Sequence, residues 1–134
     1  MKKLQLNYRY AKANLELYER QERDFEIEFM RNKKIVNDDG TTATKVYMID
    51  DEKLFDEVNL EYEAAVNGCG IWGKLIKARE DFKKAENELL KMALDIIPDT
   101  MKDTKETLEE AVKINLRIRE QVIENALKLD TKTI

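Results

Sequence analysis

The residues most suggestive of chemistry lie in one glycine-rich segment in the middle of the chain. The segment Gly68-Cys69-Gly70-Ile71-Trp72-Gly73-Lys74 matches the G-x-x-x-x-G-K part of a phosphate-binding loop, in which backbone N–H groups and the lysine hold phosphate oxygens. The match is partial, because Leu75 stands where a Ser or Thr would bind Mg²⁺. The preceding residues are also charged with helical spacing, whereas a phosphate-binding loop follows a buried strand. We therefore interpret the segment as a joint between two helices, pinned by Trp72.

Two acidic patterns could hold metal ions, and both lack required residues. The sequence Asn37-Asp38-Asp39-Gly40 has acids before a Gly, as a calcium loop does, but Ile35 and Val46 then fall where an Asp and a bidentate Glu are needed. E-x-x-E spacing occurs in residues 16–22 and 106–109, but no Asp follows a Glu by three residues to supply a second carboxylate pair. We expect turns and solvated helix faces at these places, and no metal or cofactor.

Nucleophilic and acid–base catalysis are poorly supplied. The chain contains no His and one Cys, which excludes the common zinc sites and every His-based mechanism. Cys69 has no His partner and occupies an apolar helix position, so we expect a buried structural thiol. The sequence therefore predicts that the protein is not an enzyme.

The elements that carry these residues are predicted to be long helices. In the first segment, spacings of four and three alternate along one stripe, which is the pattern of a helix seam. The stripe comprises Leu4, Tyr8, Ala11, Leu15, Tyr18, Glu22, Phe25 and Phe29. A second stripe, made of Leu6, Tyr10, Ala13 and Leu17, is predicted to widen the buried face. Together they predict one helix over about residues 3–34.

The same spacing predicts further helices over about 51–66, 72–97 and 103–129. Because the apolar spacing continues across the three glycines, one continuous but weakened helix through residues 66–74 is the alternative to a joint there. Residues 35–49 combine a turn cluster with β-forming residues, so they form either a small β-hairpin or an irregular crossover. Asp50-Asp51-Glu52 indicates a helix start, Pro98 a helix end, and Asp103 with Glu106 a capping pair. Asn115 and Asn125 fall at seam positions, where they either fix the register or lie at the edge of a drifting face. The predicted fold is all-α, with three to four long helices in an antiparallel bundle or coiled coil, forming a single domain over 1–134.

Charge is the clearest functional signal. The chain of 134 residues has 24 Lys and Arg against 28 Asp and Glu, a net charge of -4. Residues 35–66 hold two basic and nine acidic residues, whereas residues 1–34 hold nine basic and six acidic residues. An acidic block disfavours nucleic acid and favours a basic protein surface. Tyr8 and Tyr10, which lie among the basic residues, fit the two apolar stripes, so we expect core positions there and no direct nucleic-acid binding.

We therefore expect a non-enzymatic helical protein-binding module, either an adaptor or a self-assembling structural protein. Self-association into a homo-oligomer is plausible, because a thin bundle has a small core for its surface. The alternative is a small acidic, phage-type inhibitor that occupies the basic groove of a nucleic-acid-handling protein. The single thiol, and the lack of a signal peptide or an apolar membrane-spanning run, predict a cytoplasmic protein without membrane attachment. The predicted partner-binding residues are Asp50, Asp51, Glu52, Asp56, Glu57, Glu61 and Glu63, with Tyr47, Met48 and Trp72 beside them.

Overall fold

The computed structural model describes residues 1–129, and these residues form helices and no β-strand. The five helices are α1 (Lys2–Lys33), α2 (Glu52–Gly68), α3 (Ile71–Asp95), α4 (Lys102–Ile114) and α5 (Leu116–Leu127), and single 3-10 turns occur at Val46–Met48 and Asp99–Met101. The all-α prediction is thus confirmed. The antiparallel bundle or coiled coil stays a prediction. The last residues of the predicted single domain, 130–134, lie outside the described part.

By its contacts, the chain divides into two compact units. The crossover unit comprises residues 14–79, and the terminal unit comprises residues 1–13 together with the described residues from 80 onward. Each unit has its own cluster of buried apolar side chains. The prediction of one domain over the whole chain stays a prediction.

The crossover unit buries the connection between α1 and α2. Its core comprises Met30, Ile35, Ala43, Val46, Ile49, Val58, Tyr62 and Val66. Half of these residues come from the segment between the helices, so this segment is part of the core. A single bridge joins Val36 to Thr42, and the Ala43 N–H donates to the Ile35 carbonyl over 2.9 Å.

Of the two alternatives for residues 35–49, the structure has the irregular crossover, and a hairpin pairing Ile35-Val36 with residues 44–49 is wrong. The Asn37 side chain explains how the segment satisfies its backbone without a ladder. Its Nδ2 donates to the Met48 carbonyl over 2.8 Å, and its Oδ1 accepts from the Asp50 N–H over 3.3 Å. These bonds replace the strand pairing that the β-forming residues suggested.

Two separate helices flank the glycine-rich joint, as the three glycines predicted. The carboxylate of Asp51 caps α2 by accepting from the Leu54 N–H over 2.9 Å, which confirms the predicted helix start. At the other end, Gly70 adopts a left-handed φ of 80°, and α3 begins at the next residue. The prediction that Cys69 is buried is wrong. It caps α2 beyond the last helical turn, where the helical seam no longer applies, and it is exposed.

The terminal unit differs from the predicted helix over 103–129, which breaks at Asn115. This residue has φ of −125° and ψ of 106°, and its Oδ1 accepts from the Ile118 N–H over 3.2 Å. Asn115 therefore caps α5, and it has no role inside a seam. Asn125 is also exposed, and it accepts a hydrogen bond from Gln121 over 3.1 Å. The predicted cap at Asp103 is wrong as well, because Asp103 lies inside the first turn of α4.

The second stripe of α1 is exposed, which corrects the prediction of a wider buried face. Tyr8 is buried, whereas Leu6, Tyr10 and Leu17 are 42%, 72% and 43% exposed. The buried residues Gln5, Tyr8 and Ala11 show which side of α1 faces its neighbours. Since the second stripe lies on the opposite side of the helix, no described element covers it.

Candidate protein-binding face

One face of α2 is turned away from the core of the crossover unit. Val58, Tyr62 and Val66 are buried, and successive residues of a helix are rotated by about 100°. This rotation places Leu60 in the middle of the opposite side, and Leu60 is 68% exposed. Carboxylates flank it on both sides, with Glu52, Asp56 and Glu63 on one side and Glu57 and Glu61 on the other. We name these six residues, together with Asp50 just before the helix, the acidic face.

Four carboxylates of the acidic face are exposed and unengaged. Those of Asp50, Glu52, Asp56 and Glu57 have no hydrogen-bond or ion-pair partner among residues 1–129. Their side chains remain fully available to a partner, because no internal contact has to be broken first.

The remaining three predicted acids have local structural roles. Asp51 caps α2, as described above. Glu61 forms an ion pair with Lys33 near the end of α1. Glu63 is half-buried and accepts from the Asn59 Nδ2 over 3.1 Å, one turn away on the same helix. These engaged carboxylates are less available to a partner than the other four.

The predicted aromatic and apolar contacts separate into two groups. Tyr47 is 73% exposed and Met48 is 38% exposed, in the 3-10 turn that precedes the acidic face along the chain. Trp72 is half-buried against the core, where its ring centroid lies 6.3 Å from that of Tyr62. Because Tyr62 is on the buried side of α2, Trp72 packs on the side opposite to Leu60.

Two half-buried carboxylates on α1, those of Glu22 and Glu26, were not among the predicted site residues. Glu22 accepts from the Trp72 Nε1 over 3.3 Å. Burial raises the pKa of Glu26, an effect that the nearby charge of Lys45 partly counters. Burial, followed by the charges of Glu26 and Glu22, also raises the pKa of the Tyr62 hydroxyl. The signal in the sequence was Glu22 itself, the one polar residue in the apolar seam.

Each unit has a concave surface among its described residues. A concavity of about 320 Å³ in the crossover unit is lined by Ile27, Arg31, Lys34, Val36, Thr42, Ala43 and Thr44. A groove of about 560 Å³ in the terminal unit contains the ion pair of Arg119 with Glu86. Its other lining residues are the apolar or aromatic Tyr8, Phe82, Leu116, Ile123 and Leu127 and the charged Lys12, Glu120 and Glu124. Among residues 1–129, no three Cys, Asp or Glu side chains are grouped so that they could hold a metal ion.

The glycine-rich segment forms a helix end, a turn and a helix start, with an exposed Lys74 on α3. No helix within residues 1–129 is both long enough and apolar enough to cross a membrane. Comparisons of this chain with protein-family models, with curated proteins and with solved structures found no match.

Proposed function

We propose that this chain is a non-enzymatic adaptor that binds a basic surface of a partner protein through the acidic face of α2. The observation that carries the proposal is the set of four exposed, unengaged carboxylates arranged around and just before the exposed Leu60. An apolar centre with a charged rim is the usual anatomy of a protein interface.

The two parts of the face contribute differently to binding. Burying an apolar side chain such as Leu60 contributes about 1.5–3 kcal/mol when the side chain is fully exposed beforehand, so its 68% exposure gives somewhat less. Exposed carboxylates at the rim contribute about 0.2–1 kcal/mol per ion pair, and salt screens them. They mainly accelerate association and select partners of positive charge.

The acidic inhibitor of a nucleic-acid-handling protein is the second candidate. It is supported by the net charge of −7 over residues 35–66, because carboxylates can occupy a basic groove that would otherwise hold phosphates. The two candidates share the acidic face and differ in the partner. The cytoplasmic location expected from the single thiol stays a prediction.

The test is capture of partners from host lysate on immobilised protein, with elution by a salt gradient. The reversal variant replaces Glu52, Asp56 and Glu57 with Lys, because these carboxylates hold no internal contact. The control variant replaces Asp24, Glu80 and Asp95 with Lys, three exposed acids elsewhere that give the same change in net charge. We expect the reversal variant alone to lose the partner, and a partner retained by it contradicts the proposal.

Two further measurements separate the components of the face and the two candidates. Leu60→Ser should weaken capture at high salt, where the apolar contact carries more of the binding. If the captured protein handles nucleic acid, excess duplex DNA should displace it from the wild-type chain under the inhibitor proposal. Simultaneous binding of DNA and this chain supports the adaptor instead.

A further inference from the structure

The exposed stripe of α1 has the spacing of a helix-pairing surface. Leu6, Tyr10, Ala13 and Leu17 follow one another at intervals of four, three and four residues, and all four are exposed. Isolated exposed apolar residues are common on proteins, but four at heptad spacing make a strip about 17 Å long on one helix. Such a strip fits the matching strip of another helix.

We propose that α1 pairs with α1 of a second copy of this chain, in antiparallel orientation, through this stripe. This stripe is on α1 and the acidic face is on α2, so the pairing does not rest on the proposed function.

The residue sizes select the register. When Leu6 lies opposite Leu17 of the second copy, Tyr10 lies opposite Ala13, and the two-fold axis passes between Ala11 and Lys12. Each of the four layers then holds either two leucines or one large and one small residue. A shift by one heptad in either direction replaces apolar residues of these layers with Lys3, or with Arg20 and Asp24.

The charges beside the central layers favour one orientation. Arg9 and Glu16 lie along the same edge of the stripe, one at each end of its central part. Antiparallel pairing brings Arg9 beside Glu16 of the second copy, and it does so twice because of the two-fold symmetry. Parallel pairing places Arg9 beside Asn14 instead and stacks tyrosine on tyrosine.

The extent of the pairing implies a weak dimer. In this register residues 2–21 overlap, which corresponds to about 30 Å of helix. One pair of helices this short buries less than the roughly 800 Å² per partner of a standard stable interface. At each end Lys3 also lies opposite Arg20 of the second copy, and Lys2 lies beside its Arg23; both like-charge pairs oppose the pairing. We therefore expect dissociation in the micromolar range.

The first test is sedimentation equilibrium of the full chain from about 1 to 500 µM, a range that covers micromolar dissociation constants. We expect a reversible monomer–dimer equilibrium. Tyr10→Glu should weaken it by at least about 100-fold, because the variant buries a charge in two of the four layers. Tyr47→Glu is the matched control, since Tyr47 is 73% exposed against 72% for Tyr10. A chain that stays monomeric throughout, or a dimer equally weakened by both variants, overturns the proposal.

The second test addresses the orientation. Glu16→Arg places two arginines side by side at each flank and should weaken the dimer about two- to ten-fold, as expected for rim charges. Adding Arg9→Glu exchanges the charges and should restore the affinity. If the double variant is no tighter than Glu16→Arg alone, antiparallel pairing is wrong. Circular dichroism melting checks that each variant is folded.

Cross-linking gives an independent readout of the same geometry. In a Cys69→Ser background, Asn7→Cys and Asn14→Cys chains carry thiols on the other flank of the stripe. A short bismaleimide should link the mixture of the two chains and leave each chain alone largely unlinked, because residue 7 lies beside residue 14 of the second copy. If the Asn7→Cys chain links to itself as efficiently as the mixture does, the antiparallel register is wrong and the proposal is overturned.

Discussion

Gln5 offers a sharp test of the packing in the terminal unit, because its amide side chain is buried and only 4% exposed. Its Nε2 donates to the Ala126 carbonyl over 2.8 Å and to the Leu129 carbonyl over 3.2 Å. The last carbonyls of a helix have no donor within that helix, and Gln5 supplies donors there in addition to the Leu129 N–H, which lies 3.4 Å from the Ala126 carbonyl. The guanidinium of Arg9 does the same for the Leu127 carbonyl over 3.1 Å.

We predict that Gln5→Met lowers the free energy of unfolding by about 2 kcal/mol, since two hydrogen bonds of about 1 kcal/mol each are lost while the volume is kept. Gln5→Glu should cost more, about 3–5 kcal/mol at pH 7. A carboxylate at this place is buried beside carbonyl oxygens at the negative end of α5, and it has no proton to donate. Protonation of the new carboxyl in acid should return part of this loss.

The assay is urea unfolding followed by circular dichroism at pH 7 and pH 4. Gln21→Glu is the matched control on the same helix, because Gln21 is exposed, and we expect it to change stability by less than about 0.5 kcal/mol. If Gln5→Glu is as stable as Gln5→Met at pH 7, the argument that the Gln5 amide must donate to α5 is refuted.

Three further predictions concern the crossover unit. Burial raises the pKa of Glu26, so the protonated Glu26 carboxyl favours folding below its unfolded pKa, and this stabilisation is lost as the pH rises through the folded pKa. Glu26→Gln should therefore raise the melting temperature, measured by calorimetry, by about 1–3 °C at pH 7 and by less at pH 4. Gly70→Ala should lower the free energy of unfolding by about 1 kcal/mol, because Gly70 has a left-handed φ. Gly68→Ala should raise it by up to about 1 kcal/mol, because Gly68 is helical and an added Cβ meets no neighbour there; equal effects of the two variants in urea unfolding would contradict this expectation. Hydrogen bonds from the Thr41 hydroxyl and N–H lower the pKa of Asp39. Thr41→Ala removes the hydroxyl bond and should raise that pKa in an NMR titration; an unchanged titration midpoint of Asp39 would show that the hydroxyl bond does not lower its pKa.

The helices were predictable where local rules act without competition. The seam of α1, the capping by Asp51 and the break at the three glycines depend on residues close in sequence. The break at Asn115 was not predicted, because a residue that fits an apolar spacing can equally cap a new helix, and spacing alone does not distinguish the two. Cys69 was misplaced for a similar reason, since the spacing continued past the point where the helix ends.

The candidate site was predictable only in outline. The sequence located the acidic block, but it does not show which of the carboxylates cap a helix or form ion pairs. The structure separates the unengaged Asp50, Glu52, Asp56 and Glu57 from those that cap or pair, such as Glu61 with Lys33. It also identifies Leu60 as the exposed centre, which no pattern in the sequence marks.

The sequence by itself determined the helical class and the concentration of negative charge between residues 35 and 66, because periodicity and composition are local properties of the chain. Only the tertiary structure decided which apolar stripe of α1 is buried, since Tyr8 and Tyr10 carry the same spacing signal and differ only in what packs against them. It likewise decided that the crossover contributes to a core and that Trp72 packs away from the acidic face. Burial depends on neighbours that are distant in the chain, and no local pattern specifies them.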